Sequence, residues 1–173
     1  MTLFRNVLTA SFILLFTLSA QAAVKMERQQ ISKLNLSLDI PRTLAPMPDE
    51  MAKIKYPSEN RPQVIYGDER GKASLGITAG RNVLPAAQLD MAKDATLKML
   101  TNFNPQAEPV TVDGHKAWLI TFRSQAPDTE ILNLLLVTSQ NEKAVQVSFN
   151  MTKDLVPQYQ DAARASLLSL KFE

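Results

Sequence analysis

The sequence predicts an α+β fold, an α/β/α sandwich in which helices pack on a single antiparallel sheet of about six to seven strands. Three observations predict this class. The run Ile131–Thr138 is apolar at both odd and even positions, which is typical of a strand inside a sheet with both faces covered. Several neighbouring stretches alternate apolar and polar residues, as half-buried strands do. Two stretches, Pro85–Phe103 and Leu155–Leu170, carry apolar residues at helical spacing and supply the covers. The element order is βββαββββα.

Residues 1–22 have the organisation of a cleavable signal peptide. Arg5 supplies a positive charge, Val7–Leu18 an apolar segment, and Ala20-Gln21-Ala22 a small-x-small cleavage site. The apolar segment is short for a spanning helix, although an uncleaved anchor is the alternative. The chain has no cysteine, which removes lipid attachment through cysteine, disulfides and thiolate zinc sites. We therefore expect a periplasmic protein without a stable membrane anchor after cleavage.

Residues 23–173 have the length of one domain and are expected to form a single one. The whole chain carries 19 basic and 17 acidic residues, and cleavage removes only Arg5, so the mature chain is close to neutral. Its charges are interspersed rather than clustered. This balance gives no support for binding to nucleic acid.

The first predicted strand is Lys33–Ile40, which follows a polar stretch, Val24–Gln30, predicted to be irregular. Leu34, Leu36 and the later even positions of the strand are apolar, and the odd positions are mainly polar. Pro41 ends the strand because proline cannot donate to a ladder.

Residues 41–62 contain five prolines and are predicted as a long irregular segment. Within it, Asp49–Lys55 is compatible with one or two helical turns. The strands Gln63–Asp68 and Lys72–Ala79 follow and form a hairpin around a polar turn. A loop as long as 41–62 is uncommon in a compact domain and is often functional.

The helix Pro85–Phe103 comes next. Its apolar stripe is predicted to comprise Leu89, Ala92, Met99, Leu100 and Phe103. A second hairpin is predicted around Asp113-Gly114, because a type I′ turn needs positive φ at both central residues. After the central strand, Ala144–Met151 alternates as a last strand. The final helix is predicted to present Val156, Tyr159, Ala163, Leu167 and Leu170 to the core.

This order of elements resembles the PsbP-like fold. The resemblance rests on three stretches: the strand with its closing proline, Leu34–Pro41; the step Gly114-His115-Lys116 into a strand; and the end of the last helix, Ala165–Phe172. The fold is shared by the photosystem II extrinsic protein, a yeast Ran-binding import factor and bacterial periplasmic proteins of the DcrB type. DcrB-type proteins usually carry a lipobox cysteine, which this chain lacks. The resemblance implies a non-enzymatic binding scaffold and supplies no functional residue.

The best candidate for recognition is the stretch 55–62, with Tyr56 and Arg61 as candidate partner-binding residues. Tyrosine and arginine are favoured at interaction hot spots, and loops on rigid scaffolds carry function. The alternative is that Tyr56 packs under the loop and that Arg61 pairs with Glu59 or Asp68. Such anchors are also what a long loop needs.

No catalytic, cofactor-binding or metal-binding residue is predicted. His115 is the only histidine, and no nucleophile elbow Gly-x-Ser-x-Gly is present. The acidic pairs Asp49-Glu50 and Asp68-Glu69 have no calcium-loop spacing and lie in turn-rich surroundings. They are interpreted as solvated turn residues.

Three functional hypotheses follow. The first is a non-enzymatic periplasmic binding or accessory protein whose partner is another protein, either as an envelope-assembly or uptake factor or as an immunity protein against a toxin. The second is a small-molecule carrier with a pocket between sheet and helix. The third is a hydrolase or lyase that uses carboxylates of the 49–69 region, which would have to face one cleft. No cofactor is expected under the first hypothesis.

Overall fold

The computed structural model describes residues 23–173, and the predicted signal peptide over residues 1–22 lies outside this range. Ten strands are found in the described part of the chain: β1 (Met26–Ile31), β2 (Leu36–Pro41), β3 (Ala45–Pro46), β4 (Val64–Gly67), β5 (Ala73–Val83), β6 (Gln106–Val112), β7 (His115–Gln125), β8 (Glu130–Gln140), β9 (Lys143–Thr152) and β10 (Lys171–Phe172). The same residues contain three α-helices: α1 (Asp49–Lys55), α2 (Leu89–Met99) and α3 (Val156–Leu168).

The main sheet has seven strands in the order β3-β4-β5-β9-β8-β7-β6, and every neighbouring pair is antiparallel. This confirms the predicted α+β class and the antiparallel sheet. The strand β8 lies between β9 and β7. Leu134 and Leu136 point to one apolar cluster, whereas Leu135 and Val137 point to another on the opposite face. The central apolar strand is therefore covered on both sides, as its composition predicts.

A second sheet lies apart from the main one and has three strands in the order β1-β2-β10. The predicted strand Lys33–Ile40 belongs to this sheet, so the fold contains two sheets rather than a single one. Its partner β1 comes from the stretch that was predicted to be irregular, and Met26 pairs with Pro41. Leu34 lies in a 3-10 turn instead of the strand, and Asn35 takes a φ of 50° there. The alternation of β2 reports which face is buried but not which strand pairs with it.

The larger core lies between the main sheet and a layer formed by α3 and β2. Leu36, Leu38, Phe149 and Leu167 are each 0 % exposed there. Strand β9 matches the predicted strand Ala144–Met151, since its odd positions from Val145 to Met151 point into the core. Helix α3 matches the predicted final helix, since Tyr159 and Ala163 are buried. Pro157 lies in the first turn of α3. A backbone N–H at this position has no acceptor within the helix, so proline, which lacks the N–H, is tolerated there.

The opposite face of the sheet is covered by α2 across β7 and β8. Leu89 is 2 % exposed and packs in a smaller cluster with Ile120 and Val137. The helix is shorter than predicted, because short 3-10 turns flank Leu89–Met99. Met99 and Phe103 were predicted to face the core but are 76 % and 41 % exposed. Met99 lies within the helix but on its exposed side, and Phe103 lies beyond the end of the helix, where the helical spacing no longer holds.

Candidate functional site

The candidate recognition stretch, residues 55–62, begins at the last residue of α1 and continues into the loop that connects α1 to β4, residues 56–63. Its proline residues keep it out of the ladder until Gln63. The backbone N–H of Gln63 donates to the carbonyl of Ile77 at 2.8 Å, and the Gln63 side-chain oxygen accepts from the N–H of Ala79 at 2.8 Å. Gln63 thus takes the place of a strand residue beside β5 and fixes the end of the loop.

Tyr56 fixes the beginning of the loop. Its ring is half-buried, and its hydroxyl group lies 2.9 Å from the Ser74 Oγ. The Asn150 amide also donates to this hydroxyl at 3.3 Å. Because Ser74 is 0 % exposed, Tyr56 satisfies a hydroxyl group that has no access to water. Tyr56 therefore has the geometry of an anchor, which is the alternative that its sequence context left open.

Lys55 adds a second tie between α1 and the sheet. Its ammonium group donates to the carbonyl of Gly71 in the turn between β4 and β5. Burial lowers the pKa of Lys55, and the neighbouring Asp68 carboxylate opposes that shift. The junction between α1 and the loop is thus held to the body of the protein at two successive residues, Lys55 and Tyr56.

Arg61 lies at the other end of the loop and lines an open cleft of about 330 Å³. Its side chain is half-buried, and within residues 23–173 no carboxylate oxygen lies within ion-pairing distance of it. The predicted alternative of a pair with Glu59 or Asp68 is therefore not seen. Tyr56 does not line this cleft. The structure separates the two candidate residues into an anchor and an accessible guanidinium group.

A second cleft of about 400 Å³ adjoins the first, and Lys33 and Gln63 line both. We call the two clefts together the cationic groove. Its cationic side chains come from distant parts of the chain and are Lys33, Lys53, Arg61, Arg81 and Lys143. Its carboxylates are Asp49 and Glu173. Apart from Arg61, these cationic residues carry no signal in the sequence, because they are isolated from one another and each resembles an ordinary surface charge.

A third cleft, of about 780 Å³, lies between α1, the β4–β5 turn and α3. Its lining is more apolar than that of the other two clefts and includes Met47, Met51 and the two residues of β3, Ala45 and Pro46. At its base the Tyr159 hydroxyl lies 2.5 Å from Thr43 Oγ1, and Tyr159 is 4 % exposed. Because it is the largest and the most apolar of the three clefts, it is the candidate site for a small apolar ligand.

The acidic pairs do not meet in one place. Asp68 and Glu69 line the third cleft, whereas Asp49 lines the first. The Asp68 carboxylate accepts a hydrogen bond from the N–H of Ala73 at 2.7 Å and thereby stabilises the β4–β5 turn. The Glu50 carboxylate lies 3.6 Å from the ammonium group of Lys53. Within residues 23–173, no three His, Cys, Asp or Glu side chains are grouped so that they could hold a metal ion.

His115 is half-buried at the start of β7. Its Nδ1 lies 3.0 Å from the carbonyl oxygen of Asp113, and its ring meets that of Phe172 edge-on with centroids 5.0 Å apart. These contacts join a hairpin turn to β10. None of the helices in residues 23–173 has the length and apolar composition needed to cross a membrane.

No protein-family model matches the chain, and no curated protein matches it in sequence. Solved structures do match. The chain is 13 % identical to the cyanobacterial PsbP (CyanoP) of Synechocystis sp. PCC 6803, with a TM-score of 0.55 over 92 % of this chain and 99 % of that one. It is 15 % identical to LpqN of Mycobacterium tuberculosis, which is described as involved in cell envelope biogenesis, with a TM-score of 0.58 over 86 % and 90 %.

A third match is a protein of Bacteroides thetaiotaomicron, 16 % identical with a TM-score of 0.54. The match covers 80 % of this chain but only 45 % of that one. At such identities the similarities establish the fold alone. They confirm the PsbP-like fold, while the narrower resemblance to DcrB-type proteins stays a prediction.

Proposed function

We propose that the protein is an exported, non-enzymatic accessory protein of the cell envelope that binds another protein through the 56–63 loop. The predicted signal peptide supports export to the periplasm. The fold supports an accessory role, since it is similar to that of LpqN, whose description refers to cell envelope biogenesis. A factor for envelope assembly or uptake and an immunity protein against a toxin are the two specific forms of this proposal.

The proposal depends on the accessibility of the Arg61 guanidinium group. Its guanidinium group lines an open cleft and has no carboxylate partner within residues 23–173, whereas both ends of its loop are held by internal hydrogen bonds. An arginine on a fixed loop can bind without a large loss of conformational entropy. Arginine is also enriched among the residues that dominate interface energies. Tyr56 contributes by holding the loop in this shape.

Site-specific cross-linking in the native host tests the proposal. A photo-reactive residue at position 60, which is exposed beside Arg61, is expected to give one discrete protein adduct. The same residue at position 95, which is exposed on α2, serves as the matched control and is expected to give none. The adduct at position 60 should disappear with Arg61→Ala. The same adduct from both positions, or no dependence on Arg61, would contradict the proposed site, and the identity of the adduct separates a toxin from an envelope component.

A small-molecule carrier is the second candidate, and the third cleft is the observation that favours it. The space between the main sheet and α3, where a carrier pocket was expected, is filled by buried side chains such as Phe149 and Leu167. A carrier would therefore use the third cleft, beside Met47 and Met51. Apolar ligands should then raise the thermal unfolding midpoint, and Met51→Lys should remove this effect.

A further inference from the structure

We infer that the cationic groove binds an extended acidic segment of the partner protein. The inference rests on the proposed function, since it names the partner chemistry for the cleft that Arg61 lines. It adds Lys33, Arg81 and Lys143 to the binding surface, and it predicts that the bound segment runs from the first cleft into the second.

The charge distribution gives the first argument. Five cationic and two acidic side chains line the groove, although the whole chain is nearly balanced between basic and acidic residues. Lys53 is partly neutralised by Glu50 at 3.6 Å. Lys33, Arg61, Arg81 and Lys143 have no carboxylate within ion-pairing distance in the described part of the chain. Such a local excess attracts negatively charged segments and excludes basic ones.

Two of the cations, Lys33 and Arg81, are held in place by backbone carbonyls. Lys33 Nζ donates to the carbonyl of Gln63 at 2.9 Å, and Arg81 Nη1 donates to the carbonyl of Arg61 at 3.0 Å. Both are thus fixed on the same short segment of chain that carries the Arg61 guanidinium group. The charges are distributed over both clefts: Lys53 and Arg61 line the first, Arg81 and Lys143 line the second, and Lys33 lines both. Charges spread over two adjoining clefts match carboxylates spaced along a chain better than they match a single phosphate group.

The remaining lining of the groove fits a polypeptide. Side-chain amides of Asn35, Gln140 and Asn141 line the second cleft and can donate to and accept from a peptide backbone. Ala79 and Phe172 supply apolar surface in the same cleft. A lipid surface would need an apolar rim rather than amides, and a folded nucleic acid would need a broader basic face. An acidic peptide segment can contact all three kinds of lining residue, namely the cationic, the amide and the apolar side chains.

The test is a nuclear magnetic resonance titration of the exported protein with a short peptide of alternating Glu and Ser. Shifts of the backbone amide signals are expected in residues 33–35, 79–81 and 140–143 and at Arg61 and Gln63, and they should weaken as salt is added. A matched peptide of Lys and Ser is expected to cause none. The triple variant Lys33→Gln/Arg81→Gln/Lys143→Gln should bind the acidic peptide about tenfold more weakly or worse. The control variant Lys25→Gln/Lys98→Gln/Lys153→Gln loses as many exposed charges elsewhere and should bind as the wild type does.

Three results would overturn the inference: shifts outside the groove, equal losses in both triple variants, or a groove that responds to inorganic phosphate or to anionic lipid vesicles but not to the acidic peptide. Failure here is distinguishable from failure of the proposed function. If the cross-link from position 60 still depends on Arg61 while the acidic peptide does not bind, the partner site stands and its acidic character does not. Thermal unfolding of each variant shows that a loss of binding is not a loss of fold.

Discussion

The indole N–H of Trp118 donates a hydrogen bond to Asp90 Oδ1 at 2.8 Å and thereby joins the first turn of α2 to β7. Lys116 donates to the other oxygen of the same carboxylate at 2.8 Å, and the ammonium group of Lys93 lies 4.7 Å from the centroid of the Trp118 ring. This polar cluster borders the apolar contact that Leu89 makes beneath the helix. Trp118 is the only tryptophan in the chain, so its fluorescence reports directly on the docking of α2.

The first prediction concerns acid stability. Hydrogen bonds from Lys116 and from Trp118 hold the pKa of Asp90 below its usual value. A carboxylate whose pKa is lowered by folding stabilises the protein above its unfolded-state pKa, and this stabilisation is lost as the pH falls through the folded-state value. We expect the thermal unfolding midpoint of the wild type to fall below about pH 4. Asp90→Asn should be less stable at neutral pH and should show a smaller fall over the same range.

The matched control for this prediction is Asp161→Asn. Asp161 is exposed on α3 and takes part in no ion pair within residues 23–173. This variant should follow the wild-type curve at every pH. The measurement is thermal unfolding followed by circular dichroism and by Trp118 emission at several pH values. Parallel curves for Asp90→Asn and the wild type would contradict the proposed linkage.

The second prediction separates anchoring from recognition at Tyr56. Tyr56→Phe keeps the ring but removes the hydroxyl group that satisfies Ser74 and accepts from Asn150. Because Ser74 is fully buried, we expect a loss of about 1–3 kcal/mol in the free energy of unfolding, measured in urea. The double variant Tyr56→Phe/Ser74→Ala should recover part of that loss, because no hydroxyl group is then left unpaired. Equal stability of Tyr56→Phe and the wild type would show that the hydroxyl group has no anchoring role.

The parts of the fold that could be predicted from the sequence are those with a local physical cause. Asp113 and Gly114 have φ values of 47° and 76°, and Val112 pairs with His115, so the two-residue turn forms as predicted. The second sheet could not be predicted in this way. The strand β1 is polar at most positions, and it is a strand because its backbone pairs with that of β2. Pairing of that kind depends on tertiary context.

The candidate site was predictable only in part, for a related reason. Prolines and an arginine in one loop indicated residues 55–62, and Arg61 does line a cleft. The other cations of the groove come from the 3-10 turn before β2, from α1, from β5 and from the start of β9, and only the fold brings them together. No spacing in the sequence relates Lys33 to Arg81. An anchoring role for Tyr56 is one of the two alternatives that the sequence leaves open, but its partners cannot be predicted because they lie on two distant strands.

The third prediction concerns the close approach of the loop to the main sheet at Gly76. A Cβ atom at this position would lie 2.8 Å from Pro62 Cγ and 3.0 Å from Ser148 Oγ. Gly76→Ala should therefore push the loop away from β5 and cost about 1–3 kcal/mol of stability in urea unfolding. Pro62→Ala/Gly76→Ala should be more stable than the sum of the single effects allows, since the smaller side chain makes room. Strict additivity of the two substitutions would contradict the contact.

The last prediction concerns the joint between α3 and the second sheet. The Asp39 N–H donates to Ser169 Oγ at 2.7 Å, and the Ser169 hydroxyl group donates to the Ser166 carbonyl at 2.7 Å. Ser169→Ala leaves the N–H of Asp39 without a partner in a part-buried position, so we expect a loss of about 1 kcal/mol and faster hydrogen exchange at that amide. Ser58→Ala is the matched control, because its hydroxyl group also accepts from a backbone N–H but in an exposed loop. It should change stability by less than about 0.5 kcal/mol. Similar effects of both substitutions would mean that Ser169 is an ordinary surface cap rather than the joint between α3 and β2.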